Sequence, residues 1–381
     1  MTTADLLAVL CDRSPLTFAD YMDTVLYHPE FGYYNTATIG PEGDFFTAAS
    51  CDRDFGELLA VQFCQCWDIL HRPDPFTILE MGAGEGDTAL HILDAIQGSE
   101  PEFYAHLNYQ IVERSPHKRQ SQQAKLAPHP VTWQTWDDIP ADSIRGCCFS
   151  NELVDAFPVH QVVIQGGQLQ EVYVTVTPDG LTETVGPLST PQLQTYFADL
   201  AIPLPGPTYP DGYRTEVNLA ALDWLHTVGH KLDQGYLFTI DYGYSSDRYY
   251  HPQRHQGTLQ AYYQHRHHNN PYVNLGRQDL TAHVNFTALE QYGTTAGLDR
   301  LGFTPQAMML MALGLGDRLT ALSDGNYTLP QILQRRSHLH QLINPTGLGG
   351  FGVLIQHRGL TPTQRETPLR CLQEPSFPVS P

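Results

Sequence analysis

One short segment constrains the fold of this chain more than any other: an apolar run that ends in three glycines at alternate positions. Residues 77–81 are rich in strand formers, and Gly82, Gly84 and Gly86 follow them. From Asp87 onward, apolar residues recur at helical spacing. A strand, a glycine turn and a helix bring bare backbone and a helix N-terminus against a nucleotide-like ligand. The segment therefore predicts an α/β fold with a ligand site at the turn.

The acidic residues around this turn indicate which ligand it binds. Residues 107–112 predict the next strand, and Glu113 at its carboxyl end can accept both hydroxyls of a ribose. Glu80 leads into the glycines, where a carboxylate would repel a pyrophosphate but suit a positively charged amino-acid end. S-adenosylmethionine carries an ammonium, a sulfonium and two free ribose hydroxyls, so the sequence predicts this cofactor. The alternative that remains open is a loop that only needs three glycines for tight turning.

Two further segments are candidates for holding the cofactor. Trp136 and Asp137 follow the third predicted strand, where an indole can stack on adenine and a carboxylate can accept its amino group. Asp44 lies in a glycine-flanked loop that could close over the amino-acid end of the cofactor. Taken alone, Trp136 is equally compatible with a core position, and the loop around Asp44 with an ordinary connection.

A second cluster of acids predicts a site for the methyl acceptor. Asn151 and Glu152 end the fourth predicted strand, Asp155 follows three residues later, and Asp241 ends the fifth. We expect Asn151 to bind the cofactor, and Glu152, Asp155 and Asp241 to be catalytic. The carboxyl ends of such strands form the ligand-binding edge of an α/β sheet. Carboxylates at this edge can hold and orient a guanidinium or an amine. Two alternatives remain open: Asn151 could cap a short helix, and Asp241 could form a turn.

The composition of the chain indicates which binding partners, metals and cellular compartments to expect. The 381 residues include 21 Lys and Arg against 41 Asp and Glu, a formal charge of −20. This excess of acid disfavours nucleic acid and anionic membranes and favours a basic partner. We expect no metal site, because the histidines at positions 251, 255, 265, 267 and 268 form no ligand pair on a convincing helix, apart from His251 and His255 beside a proline, and a solvated loop is favoured. Seven cysteines without a disulfide pattern predict a reducing compartment, and the absence of a visible signal or span predicts a cytoplasmic location without membrane insertion.

The pattern along the chain predicts five segments. We expect a helical N-terminal extension and cofactor lid over residues 1–75, and the first half of the core over 76–158. An inserted β/α subdomain follows over 159–215, where Gly166 and Gly167 indicate a hairpin. The second half of the core, with a loop rich in histidine and tyrosine, spans 216–360, and the proline-containing tail over 361–381 is predicted to be disordered.

The chain resembles the MidA family in several motifs, which follow one another in the same order as in that family over almost the whole chain. They are the segments at 21–34, 43–47, 55–56, 80–86, 113–116, 151–158, 241–243, 257–259, 278–286 and 347–351. The family includes the mitochondrial arginine methyltransferase that assists complex I assembly. Asn285 stands where the family usually has Asp, and Arg277 where it has a small or acidic residue. Neither lies in the predicted cofactor turn, so these departures bear on substrate choice more than on cofactor binding.

The resemblance implies a Rossmann-like class I methyltransferase sheet, with a helical N-terminal extension and a β-containing insertion before the fifth strand. It implies methylation of a protein nitrogen, with arginine as the acceptor and Glu152, Asp155 and Asp241 as the carboxylates that hold it. The expected substrate is a basic, arginine-containing protein, with a respiratory-complex subunit as one candidate. The competing hypothesis is an assembly factor that binds S-adenosylmethionine without catalysis. Oligomeric state cannot be predicted from this sequence.

Overall fold

The computed structural model describes residues 3–36, 53–178, 180–264, 266–323 and 328–375. The α-helices of the described chain are Thr3–Arg13, Phe18–Tyr27, Tyr33–Thr36, Asp54–Ile69, Asp87–Ser99, Pro101–His106, Pro116–Lys125, Gln192–Asp199, Leu219–Lys231, Ser246–Tyr249, Phe286–Thr295, Gln306–Ala312, Leu315–Ala321, Leu329–Ile343 and Pro362–Glu366. Short 3₁₀ turns span Val154–Ala156, Leu348–Gly350 and Arg370–Leu372.

The strands, numbered in chain order, are β1 (Leu16–Thr17), β2 (Phe76–Met81), β3 (Leu107–Val112), β4 (Val131–Gln134), β5 (Ile144–Asn151), β6 (His160–Gln165), β7 (Gln168–Thr177), β8 (Gly180–Gly186), β9 (Arg214–Val217), β10 (Leu232–Asp241), β11 (Gly243–Tyr244), β12 (Gln260–Tyr263), β13 (Arg266–His268), β14 (Asp279–Thr281), β15 (Val284–Asn285), β16 (Asp299–Pro305) and β17 (Gly352–Arg358).

The chain folds into two compact units, each made of three separate segments. The core unit comprises Phe46–Leu153, Thr227–Tyr242 and Gly293–Pro381. The accessory unit comprises Met1–Phe45, Val154–His226 and Gly243–Tyr292.

The core unit is built on a seven-stranded sheet in the order β16-β17-β10-β5-β2-β3-β4. The strands β10, β5, β2, β3 and β4 run parallel, and β17 is antiparallel to both of its neighbours. Parallel strands covered on both faces need nearly continuous apolar sequence, and every residue of β2 is buried accordingly. The predicted α/β sheet is confirmed.

The parallel strands end at one edge of this sheet, which positions the candidate site. Met81 is in register with Val112 of β3 and with Ser150 of β5, and Asn151 is in register with Ile240 of β10. The residues that follow these four strand ends therefore lie along the same carboxyl edge, where ligands bind in open α/β sheets.

The accessory unit contains an antiparallel sheet in the order β1-β7-β6-β9, with β8 paired to β7. Strands β6 and β7 form the predicted hairpin, and Gly166 and Gly167 at its turn have positive φ values of 59° and 72°. Both central residues of a two-residue type I′ turn require positive φ, which glycine adopts without strain. Two small sheets, β11-β15 and β13-β12-β14, belong to the same unit.

The structure differs from the predicted segments at three places. The N-terminal extension is not wholly helical, because β1 pairs with β7, and helix Asp54–Ile69 belongs to the core unit. Residues 243–292, predicted as second-half core, belong to the accessory unit. The tail prediction is wrong for residues 361–375. Thr361 and Gln364 form a capping box for helix Pro362–Glu366, and Leu369 and Cys371 are buried in the core of the core unit.

Candidate active site

The glycine turn after β2 adopts backbone conformations that favour glycine. Gly82, Gly84 and Gly86 have φ values of 71°, 54° and 83°. A Cβ at Gly82 would lie 2.7 Å from Cδ1 of Leu153, whereas a Cβ at Gly84 would meet no atom within 4 Å. Gly86 is the N-cap of helix Asp87–Ser99. The turn thus offers exposed backbone, open space at Gly84 and a helix N-terminus together, as a nucleotide-like ligand requires.

Glu80 is buried at the end of β2 and is only 4% exposed. Tyr109 Oη donates to Glu80 Oε2 at 2.8 Å. Burial raises the pKa of Glu80 to about 8, and the charge of Glu113 acts in the same direction. A carboxyl in this environment gains most from a cationic ligand group, because a nearby positive charge favours its ionised form.

Glu113 directly follows β3 at the same sheet edge. Its Oε1 accepts from the Ser115 backbone N–H at 2.8 Å, and its Oε2 accepts from Gln122 Nε2 at 3.0 Å. Burial raises its pKa. An ionised carboxylate has about four lone-pair sites, so each oxygen can accept one further hydrogen bond, as from a ribose hydroxyl.

Gln122 joins the parts of this site, and sequence reasoning missed it. Its Nε2 donates to the Gly84 carbonyl at 2.9 Å as well as to Glu113, while its Oε1 accepts from Trp133 Nε1 at 2.9 Å. The side chain is fully buried. No spacing signal marks it, because it lies in the glutamine-rich run 120–123 of a polar helix.

Trp136 and Asp137 follow β4, which runs parallel to β3. Trp136 is half-buried and Asp137 is exposed. The neighbouring Asp138 organises the turn, since its Oδ2 accepts from the backbone N–H and the hydroxyl of Thr135 at 2.8 and 2.7 Å. The roles of Trp136 and Asp137 toward adenine stay predictions.

Asn151 and Glu152 stand at the carboxyl end of β5. Glu152 has a φ of 51°, and its backbone N–H donates to the Ile240 carbonyl at 2.9 Å. Asn151 Nδ2 donates to Glu152 Oε1 at 3.2 Å. A positive φ in a residue other than glycine costs free energy and concentrates at functional sites. The backbone bond to Ile240 and the contact with Asn151 therefore place Glu152 at the sheet edge.

Asp241 ends the adjacent strand β10. It is fully buried, and its Oδ1 accepts from the Tyr242 backbone N–H at 2.8 Å. Asn151, Glu152 and Asp241 therefore lie with Glu80, the glycines and Glu113 along one edge of the core unit.

One unsatisfied hydrogen-bond acceptor shows that the residues at this edge suit S-adenosylmethionine. Asn151 Oδ1 is buried and has no hydrogen-bond partner among the described residues. A buried acceptor without a donor is costly, so it indicates a ligand that supplies an N–H or O–H. The ammonium and hydroxyl groups of this cofactor are such donors.

The structure leaves the predicted roles of two further residues, Asp155 and Asp44, untested. Asp155 lies in the 3₁₀ turn Val154–Ala156 of the accessory unit, and its carbonyl accepts from the Ala282 N–H at 2.9 Å. Its carboxylate is one of several charges that, after burial, raise the pKa of Tyr34. Its catalytic role stays a prediction. Asp44 lies outside the described residues.

The described part of the chain contains no group of three or more His, Cys, Asp or Glu side chains that could hold a metal ion. Among the described helices, none combines the length and the apolar character that crossing a membrane requires.

Comparison with known proteins identifies the family. The family model described as "Putative S-adenosyl-L-methionine-dependent methyltransferase" matches residues 58–304. The crystal structure of a COG1565 superfamily member from Burkholderia thailandensis, bound to S-adenosyl-homocysteine, is 30% identical and has a TM-score of 0.85. The match covers 97% of this chain and 94% of that chain.

Curated relatives are also similar over most of their length. The protein arginine methyltransferase NDUFAF7 homolog, mitochondrial, of Drosophila melanogaster is 29% identical over 90% of this chain and 81% of its own. The protein arginine methyltransferase NDUFAF7, mitochondrial, of Rattus norvegicus is 27% identical over 91% and 82%.

These findings confirm the MidA resemblance, the class I methyltransferase fold and S-adenosylmethionine as the cofactor. The predicted cytoplasmic location is wrong, because the curated relatives are mitochondrial. Cysteine content distinguishes reducing from oxidising compartments, and it does not distinguish one reducing compartment from another. The family model covers more than half of the residues, and the chain belongs to this family of S-adenosyl-L-methionine-dependent methyltransferases.

Proposed function

We propose that this enzyme methylates an arginine nitrogen of a protein substrate. The observation that carries the proposal is the position of Glu152 and Asp241 on the same sheet edge as the cofactor turn. The curated relatives are named protein arginine methyltransferases, which supports arginine as the acceptor.

In this proposal the edge of the core unit holds the cofactor. Glu80 and Asn151 face its ammonium end, Gly82, Gly84 and Gly86 allow close approach, and Glu113 binds the ribose hydroxyls. Trp136 and Asp137 contact adenine, and Asp44, which lies outside the described residues, is proposed from its sequence position alone to contact the amino-acid end. When bound, S-adenosylmethionine supplies a methyl group on a positively charged sulfur.

The carboxylates at the strand ends act on the substrate. Glu152 and Asp241 accept N–H bonds from the guanidinium and fix the direction of the nitrogen that is methylated. Methylation forms a C–N bond, breaks a C–S bond and releases one proton from the nitrogen. A carboxylate oxygen that already accepts this N–H can take the proton. Asp155 is proposed as a third carboxylate on the evidence of the sequence alone.

The net negative charge of the enzyme supports a basic protein segment as its substrate. The formal charge of −20 attracts arginine-rich chains and repels acidic ones. A respiratory-complex subunit is the candidate substrate that the family resemblance favours.

Mass spectrometry on a peptide library tests the proposed acceptor. The purified enzyme and S-adenosylmethionine are incubated with basic peptides that contain arginine, with lysine in place of each arginine as the matched control. We expect a mass gain of one methyl group on arginine peptides only. Methylation of the lysine set with the arginine set unmodified would contradict the proposal.

A further inference from the structure

A cavity in the accessory unit has no role in the function described above. Its volume is about 380 Å³, and all of its lining residues belong to this unit. Ligand pockets of proteins typically begin at about 300 Å³. None of the predicted cofactor or substrate residues is among the residues that line it.

The wall of the cavity carries a guanidinium that is not paired with any described carboxylate. Arg254 is half-buried and lies over the ring of Tyr244, with Cζ 4.4 Å from the ring centroid. Its Nε donates to the Arg248 carbonyl at 3.3 Å. Within the described ranges no carboxylate forms an ion pair with Arg254. Its terminal nitrogens are therefore available as a planar fork for an anion.

Two amide side chains add further donors to the same cavity. Gln161 is only 3% exposed, and its Oε1 accepts from Arg214 Nη1 at 3.5 Å. Asn270 Oδ1 accepts from the Tyr272 backbone N–H at 3.0 Å. Both partners are obligate donors, which fixes the amide orientation and leaves each NH₂ group without an acceptor in the described chain.

The neighbouring carboxylates are already engaged by the protein. Glu183 accepts from Arg214 through both of its oxygens, and Oε1 also accepts from Tyr272 Oη at 2.7 Å. Glu216 accepts from the Thr258 N–H at 2.8 Å and from the Leu259 N–H at 3.3 Å. The cavity therefore presents an excess of donors, although two engaged carboxylates nearby disfavour a doubly charged anion.

His283 completes the aromatic part of the wall and adds no charge near neutral pH. Its ring stacks on Tyr244 at 4.9 Å with an interplanar angle of 13°. Burial, followed by the charge of Arg254, lowers the pKa of His283 to about 4. The cationic donor of the cavity at pH 7 is thus a guanidinium and not an imidazolium.

We propose that this cavity binds a small organic acid through its carboxylate, held by the Arg254 guanidinium and by the free amide N–H groups of Gln161 and Asn270. Excess donors require an acceptor-rich ligand, and a carboxylate matches the guanidinium fork with a single negative charge. The proposal does not depend on the substrate of the methyltransferase.

Calorimetric titration with acetate, succinate, citrate and benzoate tests the site. S-adenosylhomocysteine is kept at saturation so that the probes do not report on the cofactor site. We expect saturable binding of acetate or benzoate, each with a single negative charge, in preference to the multiply charged succinate and citrate, and a loss of about ten-fold or more in Arg254→Gln. Arg248→Gln is the matched control, because Arg248 also lies over Tyr244, at 4.8 Å, but does not line the cavity. It should change the affinity less than two-fold.

Three outcomes would overturn the proposal. They are no binding by either acetate or benzoate, equal losses for Arg254→Gln and Arg248→Gln, and tighter binding of inorganic phosphate, titrated in parallel, than of either acid. Asn270→Ala provides a second readout at an exposed position where misfolding is not expected. It should weaken binding by a few fold while the thermal midpoint is unchanged.

Discussion

Gln122 shows how much of the cofactor site depends on one neutral side chain. Its amide ties the Gly84 carbonyl, Glu113 and Trp133 together, so the turn after β2 and the acid after β3 are held in one arrangement. An ionised Glu113 needs such a donor because burial otherwise favours its protonated form. Gln122 is therefore a positioning residue of the cofactor site.

Replacing Gln122 by alanine should weaken S-adenosylhomocysteine binding about ten-fold or more. The change removes the hydrogen bonds to Gly84 and Glu113 and leaves the half-buried Trp133 N–H without its acceptor, which also costs about 1 kcal/mol of stability. Calorimetry and urea unfolding measure both effects. Gln123→Ala, at an exposed position of the same helix, is the control. Equal affinities of the two variants would remove Gln122 from the site.

Glu80 should make the stability of the cofactor-free protein depend on pH. Its pKa is raised in the folded chain to about 8 from its ordinary value of 4.5. Between these values the folded chain retains a proton that the unfolded chain has lost, so stability falls as pH rises. Glu80→Gln should flatten this fall across pH 5–8 in a series of urea unfolding measurements. The slope of the unfolding free energy against pH should change by the equivalent of at most about one bound proton. An unchanged slope would contradict the buried, raised pKa.

At the scale of elements, the hydrogen bonds of Asn285 show what this residue does at a position where the chain departs from the family signature. Its Oδ1 accepts from the Ala288 N–H at 3.2 Å at the start of helix Phe286–Thr295, and also from Ser246 Oγ at 3.0 Å. Its Nδ2 donates to Tyr196 Oη at 3.1 Å. The residue is buried and serves as a helix cap within the accessory unit, so its amide has a structural role.

Asn285→Ala should destabilise the protein by about 1–3 kcal/mol, because it removes a cap and leaves buried partners unsatisfied. Asn285→Asp keeps the capping oxygen, and it should cost less while leaving the preference for substrate peptides unchanged. Urea unfolding and methylation of the peptide library measure the two effects. A changed peptide preference in Asn285→Asp would contradict a purely structural role.

Elements with strong local signals were predictable from the sequence. The apolar run of β2 is a fully buried strand, and in β3 Tyr109 and Ile111 are buried while the other residues are half-buried. Thr17 caps helix Phe18–Tyr27 by accepting from the Asp20 N–H. Residues 310–322 have apolar spacing typical of one helix, but Gly314 at φ 109° separates Gln306–Ala312 from Leu315–Ala321. Local periodicity cannot reveal such a break when apolar spacing continues through it.

Elements that depend on tertiary partners were not predictable. Strand β16 has no buried residue and no apolar alternation, and it is defined by its pairing with β17. The tail after Thr361 has a capping signal in its sequence, but only the burial of Leu369 and Cys371 shows that it is ordered. The same limit applies to the site. Glu80 and Glu113 are marked by their places at strand ends, whereas Gln122 is defined by contacts with three separate segments.

At the scale of the whole molecule, the formal charge of −20 governs encounters with partners. Long-range attraction should raise the association rate of a basic substrate, and salt screens it. The Debye length falls from about 10 Å at 0.1 M to about 3 Å at 1 M salt.

The apparent affinity for a basic substrate peptide should therefore weaken as salt rises. S-adenosylhomocysteine should respond much less, because the carboxylates proposed to bind it, Glu80 and Glu113, are buried and half-buried and are therefore poorly screened. Parallel titrations of both ligands at several salt concentrations test this. A substrate affinity independent of salt would contradict electrostatic steering.

The most direct test of the proposed chemistry compares methyl transfer with cofactor binding in Glu152→Gln. The substitution keeps the shape of the side chain and removes the charge that is proposed to hold the guanidinium. We predict that transfer of labelled methyl groups to arginine peptides is lost, at least a hundred-fold or about 2.7 kcal/mol, while S-adenosylhomocysteine affinity stays within a few fold. Unchanged transfer, or equal loss of transfer and cofactor binding, would contradict the role of Glu152 at the centre of this site.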